Sequence, residues 1–282
     1  MDATVRPARP SDKEPLMSFI RNVWGGHDYI PFVWEDWLKS DRGRMFVVEV
    51  GGVPVGMNRV QFLEDGSAWF EGVRVHPDFR GKGLASMLGE NSMRVAKERG
   101  IRVYRLTSGS KNRLAHRQIT RIEFNEVARF SVYEPENRDL KPRGKARRVT
   151  IEEVEEARRI IEGSKEFRLG TGVFWHNFAA ASLSKGVIEK LVEEGSVWRL
   201  GEALAVVRMG KEGAPAWEEV CFVGGRAADA MKLVKSLVGR SRRAKERWVF
   251  VPQRSPLIHH LRRSGFKRNY AMILFERRAV NG

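Results

Sequence analysis

Apolar residues recur along the chain with two periods that take turns. Strand-like runs at 46–50 and 53–62 flank Gly51-Gly52, which reads as a hairpin. A third strand follows the turn at Glu64-Asp65-Gly66 and covers 68–75. Helical spacing then takes over from 83 to 99 and is closed by Gly100. A strand at 101–107, a helix at 113–120 and a strand at 124–133 complete this half. Upstream, Ser11-Asp12-Lys13-Glu14 has the form of a capping box and predicts a helix to about Val23, with a short second helix over 34–38.

The second half has the same sense of order. Helices are predicted at 151–161 and 183–194, and a hairpin-like pair at 197–208 turns around Gly201. Strand 218–223, helix 227–237, strand 248–252, helix 257–263 and strand 270–276 follow. The two endings align: Phe124-Asn-Glu-Val-Ala-Arg-Phe-Ser-Val-Tyr133 mirrors Phe266-Lys-Arg-Asn-Tyr-Ala-Met-Ile-Leu-Phe275, as an internal duplication would give. Between the halves, 134–148 holds two prolines, a glycine and many charges without an apolar period. The expected organisation is a domain at 1–135, a linker at 136–149 and a second domain at 150–282.

Composition narrows the class. Eight Trp, fifteen Phe and 42% apolar residues in 282 exclude a disordered chain. The single cysteine, Cys221, allows neither an internal disulfide nor a Cys-based zinc site, so a cytoplasmic protein is expected. The first residues lack the apolar stretch of a leader, and no apolar run reaches 18 residues. Six histidines show no ligand spacing, and no metal is expected. The formal charge of +16 suggests an anionic partner. Its excess is concentrated: 141–150 carries five basic and no acidic residues, and 240–282 twelve basic against two acidic.

The chemistry concentrates in Glu71-Gly-Val-Arg-Val-His-Pro-Asp-Phe-Arg-Gly-Lys-Gly-Leu-Ala-Ser86, a strand, a loop and a helix start. Glycines let a ligand approach the backbone, and a helix N-terminus offers unpaired amides and partial positive charge. Arg80 and Lys82 add full charges, so a pyrophosphate suits the turn. The spacing is neither that of a P-loop nor that of a dinucleotide fingerprint. Arg80, Gly83 and Ala85 after an apolar strand, with Asn112-x-x-Ala115 and Phe124 downstream, resemble the GNAT acyltransferases over about residues 3–133. The resemblance implies a mixed α/β sheet, so the chain is expected to be a tandem of GNAT-like domains, the second degenerate. It also implies acetyl-CoA as cofactor, with the pyrophosphate on Arg80, Gly81, Lys82, Gly83, Leu84, Ala85 and Ser86. The pantetheine arm would meet the Val73 and Val75 backbone and Asn112. The implied activity is direct transfer of acetyl to a primary amine.

Glu71 is the candidate base, since strand period two puts it on the face of Val73 and Val75. The competing reading pairs it with Arg59 or Arg74 for structure. Two positions depart from the family pattern. Ile119 stands where a Tyr acid is usual, which leaves Tyr133, Tyr104, His116 or water as proton donors, and Glu123 replaces a glycine. Aromatic and acidic residues mix over 24–38, which suits a cationic or amino-acid ligand. Asp28-Tyr-Ile-Pro31, Trp37-Leu38 and Glu71-Gly-Val-Arg-Val75 are similar to the histidine N-acetyltransferase-like branch. That similarity implies a free amino acid or small amine as acceptor, near Asp28 and Tyr29. The alternatives are a protein N-terminus or lysine as acceptor, or nucleic-acid binding through the basic stretches 240–247 and 262–268. No membrane partner is expected, and the chain is expected to act as a monomer or homodimer.

Overall fold

The computed structural model describes residues 2–137, 144–209, 217–239, 244 and 246–279. The expected linker and the basic stretch 240–247 therefore lie in part outside the described residues.

The first half runs β1 (Ala3–Pro7), α1 (Lys13–Ile20), α2 (Ile30–Lys39), β2 (Gly43–Val50), β3 (Val53–Phe62), β4 (Ala68–Val75), α3 (Leu84–Glu98), β5 (Val103–Gly109) and α4 (Arg113–Arg121). There follow β6 (Asn125–Pro135), β7 (Arg147–Arg148), α5 (Val154–Gly163), α6 (Lys165–Leu169), β8 (Val173–His176), β9 (Ala179–Ser182) and α7 (Lys185–Glu193). The chain closes with β10 (Val197–Leu200), β11 (Ala203–Met209), β12 (Trp217–Gly225), α8 (Ala227–Val238), β13 (Glu246–Pro252), α9 (Leu257–Arg263) and β14 (Phe266–Arg278). Contacts gather these into two compact units, Met1–Leu106 with Thr120–Phe124 and Glu276–Gly282, and Thr107–Ile119 with Asn125–Phe275. The units do not follow a boundary at 136–149: β6 belongs to the second, and the end of β14 to the first. No helix among the described residues is long and apolar enough to cross a membrane.

In the first unit β1, β2, β3 and β4 pair antiparallel in sequence order, and β4 pairs with β5 in parallel. The parallel pair needs a crossover, which α3 supplies. Leu16, Met17 and Ile20 of α1 and Ile30 and Trp34 of α2 bury their apolar faces against Met45, Val47 and Met57. The start of α1 corrects one expectation. Ser11 does not cap it; the buried Asp12 accepts from the Arg9 amide at 2.6 Å and from Arg6. Pro31, in the first turn of α2, lets that helix begin four residues before the predicted Trp34.

One irregularity in β4 matters for the site. Met57 pairs with Arg74 and Arg59 with Glu71, so a two-residue step in β3 faces a three-residue step in β4. The extra residue makes a β-bulge at Gly72, whose φ is +69°. A Cβ there would also lie 2.9 Å from the Trp37 ring. Because Met57 and Arg59 share one face of β3, Glu71 shares a face with Arg74. Val75 pairs with Gly56 and belongs to the other face. The expectation that Glu71 lies on the face of Val73 and Val75 is corrected by this bulge.

In the second unit the strands run β14-β6-β13-β12-β11-β10-β7. Here β12 and β13 form the parallel pair, with α8 as crossover, while β11 and β10 continue antiparallel. The core under this sheet holds Val220, Val223, Leu233, Val234, Leu237, Val249 and Val251. The β8–β9 hairpin forms a separate two-stranded sheet. The two aligned endings carry the same backbone device. Glu123 (φ +62°) and Gly265 (φ +75°) stand in the left-handed region before the buried Phe124 and Phe266.

Candidate active site

The loop between β4 and α3 is an open anion cradle. Gly81 and Gly83 have φ of +77° and +81°, and a Cβ at either would meet nothing within 4 Å. Arg80, Gly81, Lys82 and Gly83 are exposed, Leu84 is buried beneath them, and Ser86 is exposed. The first turn of α3 has no side-chain cap and no acidic residue. Its amides and the positive end of its dipole therefore face outward unneutralised. Lys82 Nζ sits 5.0 Å over the Phe79 ring, while Arg80 Nε donates to the Val75 carbonyl at 3.2 Å.

Beside the loop, β4 leaves its neighbour. It pairs with β5 only at Ala68↔Tyr104 and Trp69↔Arg105. Beyond Trp69 its backbone is not committed to β5, as binding an extended amide chain requires. The Val73 side chain is exposed, and the Val73 carbonyl accepts from Arg74 at 2.9 Å.

The bulge face of β4 collects the other polar groups. Glu71 is largely buried, and its Oε1 accepts from Arg59 at 2.5 Å. Burial pushes its carboxyl above the usual range, against the pull of Arg59. The Arg59 guanidinium also lies 4.9 Å over the Trp37 ring. Arg74 donates to Asp28 at 2.6 Å and lies 5.7 Å over Tyr29, whose ring meets Trp37 edge-on at 5.8 Å. Burial, with the Glu71 charge added, raises the Tyr29 phenol, so it stays protonated at neutral pH.

This arrangement sorts the expected residues. Glu71 and Tyr29 are brought together on the bulge face. Asp28 differs from its expected place: its side chain is enclosed, with Oδ1 accepting from the Ile30 amide and Oδ2 from Arg74. It holds Arg74 instead of facing a ligand. Asn112 lies in the second unit, where its Oδ1 caps α4 through the Ala115 amide at 3.1 Å. Of the proton-donor candidates, Tyr104 donates to the Ile101 carbonyl and Tyr133 is fully buried. His116 meets the Gly109 carbonyl at 3.0 Å. Glu123 is exposed and pairs with Arg277 at 2.7 Å, a helix-end role. Arg59, Arg74 and Trp37 complete the face and were not singled out as binding residues by the sequence. The register shift at Gly72 puts Arg74 on the face of Arg59 and Trp37.

The second unit lacks these openings. Asp229 stands third in α8, as Ser86 does in α3. It accepts from Arg226 at 2.6 Å and from the Glu202 amide at 3.2 Å. A Cβ at Gly225 would strike the Glu202 carbonyl oxygen at 2.1 Å, and one at Gly224 would lie 2.6 Å from Ser164 Oγ. The aromatics of the basic C-terminal stretch are also inside: Phe266 is buried, and Trp248 and Tyr270 pack on Phe178.

The site thus combines an open glycine turn at a helix start, a strand parting from its parallel neighbour, and a buried carboxylate on that strand. Residues 13–124 match the model of the acetyltransferase (GNAT) family. The chain is 28% identical over 117 residues to a histidine N-acetyltransferase of Xenopus tropicalis, covering 40% of this chain and 36% of that protein. It is 30% identical over 137 residues to an uncharacterized N-acetyltransferase of Methanocaldococcus jannaschii, covering 44% of this chain and 61% of that protein. The chain thus spans about a third of the vertebrate relative. A GCN5-related N-acetyltransferase from Sphaerobacter thermophilus has the same fold over 99% of this chain and 96% of its own, with a TM-score of 0.65 at 14% identity.

Proposed function

We propose that the chain moves an acetyl group from acetyl-CoA directly to the primary amine of a small molecule or amino acid. One observation carries the reading: the unneutralised α3 start and open glycine turn lie on the same strand–loop–helix segment as a buried carboxylate. When bound, acetyl-CoA supplies an acetyl thioester activated toward an amine. The residues present fit it. The amides of 81–86, with Arg80 and Lys82, would hold its pyrophosphate, and the β4 backbone around Val73 and Val75 would meet its pantetheine arm.

Glu71 then does the proton work. An amine acceptor arrives as an ammonium ion, and its attack on the thioester carbonyl needs the lone pair freed. Glu71, held at Oε1 by Arg59, takes that proton directly or through a water. Asp28 fixes Arg74, and the Tyr29 and Trp37 rings wall the same face. Two guanidiniums and two rings beside the base favour an acceptor that carries its own carboxylate next to the amine, as a free amino acid does. The 28% identity to a histidine N-acetyltransferase supports the same substrate class.

A thiol-release screen over free amino acids, polyamines and peptides tests this. Release with free amino acids and not with peptides is the expected result. Turnover only with peptides moves the reading to a protein N-terminus or lysine. If saturating acetyl-CoA leaves the melting temperature unchanged, the acetyltransferase reading fails altogether.

A further inference from the structure

The second unit brings a nitrogen, a carboxylate oxygen and a sulfur together from separate strands. The ligand atoms of His176 at the end of β8 and of Glu219 and Cys221 in β12 lie within 4.8 Å of one another. His176 Nδ1 is 3.4 Å from Glu219 Oε2, and Cys221 Sγ is 4.0 Å from the same oxygen. Glu219 is fully buried, yet among the described residues its Oε1 has no hydrogen-bond partner. A buried polar oxygen without a partner is costly, and a bound cation would meet it.

The surrounding backbone is shaped around these groups. Val206 pairs with Phe222 and Val207 with Val220, which leaves Cys221 as the extra residue of a bulge. Bulges of this kind re-aim a side chain. Asn177 and Phe178 form the two-residue turn of the β8–β9 hairpin with φ of +48° and +61°. Asn accepts this conformation readily, but Phe does so at a cost, and Phe178 is held there by Trp248, Phe250 and Tyr270. The Asn177 amide donates to Glu219 Oε2 at 3.0 Å and orients it.

We propose that the second unit binds one divalent transition-metal ion of the zinc class through His176 Nδ1, the Glu219 carboxylate and Cys221 Sγ. Ordinary zinc–ligand lengths in a tetrahedron put N and O about 3.3 Å apart and O and S about 3.5 Å apart. The His176–Glu219 separation already fits, and Cys221 must move inward to complete the set. A nitrogen, an oxygen and a sulfur donor together suit zinc better than a hard ion such as magnesium or calcium. The half-exposed His176 gives the ion a route from solvent and leaves a fourth position for water. Its Nε2 lies 3.4 Å from the Asn177 side-chain amide, which can turn its oxygen toward Nε2–H and so fix the ring. A thiol ligates as its thiolate, so loading the site displaces a proton. The sequence hid the site because its ligands stand 43 and 2 residues apart on different hairpins, a spacing that fits no metal motif.

Cobalt(II) added to the full chain tests the proposal, because a thiolate ligand gives it a charge-transfer band in the near ultraviolet. The expected result is one cobalt per chain with that band, displaced by zinc and accompanied by proton release. Cys221→Ser should abolish the band, and His176→Ala should weaken binding by at least about tenfold. Acetyl-CoA binding by both variants checks that they are folded. Absence of the band at saturating cobalt overturns the proposal, as does a band that survives Cys221→Ser or an affinity unchanged in His176→Ala.

Discussion

The chain builds one strand–loop–helix element twice, and the two versions treat their helix starts in opposite ways. Before α3 the glycines stand free and the first turn holds no acid. Before α8 the glycines are packed against Glu202 and Ser164, and Asp229 supplies the negative charge itself. The strands differ in the same sense. β4 leaves β5 after Trp69, while the parting ends of β12 and β13 are met by α6: Ser164 at its start lies against Gly224, and a Cβ at Gly170, at its end, would lie 3.3 Å from Pro252. A helix dipole needs a counter-charge, and whichever group provides it decides whether the site can take an anionic ligand. In one version the place is left to a ligand; in the other the chain fills it.

The comparison can be broken in four ways, beginning with the largest effect. Glu71→Gln should lower kcat by roughly 10²–10⁴-fold, the range of a general base, while acetyl-CoA binding by calorimetry stays unchanged. Full activity would remove Glu71 from the mechanism. Ser86→Asp copies the Asp229 arrangement into the first unit. It should weaken acetyl-CoA at least about tenfold, because a carboxylate then competes for the same amides. An unchanged Kd would mean that the helix start does not receive the pyrophosphate.

The third test concerns pH. Glu71 must be ionised to accept a proton, and burial raises its pKa. The acid limb of kcat/KM should therefore lie above that of an ordinary glutamate. Arg59 favours the ionised form, so Arg59→Gln should move the limb to higher pH. A limb that stays or moves down would separate it from Glu71. The smallest effect concerns the paired positions Glu123 and Gly265. Glu123 bears a left-handed conformation that Gly265 adopts without strain. Glu123→Gly should raise stability in urea by about 1 kcal/mol, since the exposed Arg277 pair contributes little. Glu123→Ala keeps the strain and loses the pair, so it should be the less stable of the two.

Much of the first unit was legible because its signals are local. Glycine pairs mark the β2–β3 turn, and period two gives β4 its limits. The glycine turn before α3 needs no partner to be recognised. The face of Glu71 was not legible, because a bulge adds one residue without changing the apolar pattern, and only pairing with β3 reveals it. The β8–β9 hairpin escaped for a related reason. Val173, Phe174, Trp175 and Ala179, Ala180, Ala181 are buried on both sides and do not alternate, and its turn carries Asn-Phe where Asn-Gly would have announced it. In the second half the duplicated endings were visible, but the carboxylate that closes α8 was not. Its effect depends on Glu202, a residue from another hairpin.

Under the proposed function, the bulge at Gly72 also bears on how the choice of amine can change over time. One inserted residue turns Glu71 and Arg74 toward α1 and α2 while Val75 keeps the opposite face. Substitutions at Tyr29, Trp37, Arg59 or Arg74 can therefore alter the choice of amine without touching the glycine turn. Gly72 itself has no such freedom, being fixed by its backbone angle and by the Trp37 ring. On that reading, new acceptors are explored on one side of a single strand while the surface proposed for the shared donor is inherited intact on the other.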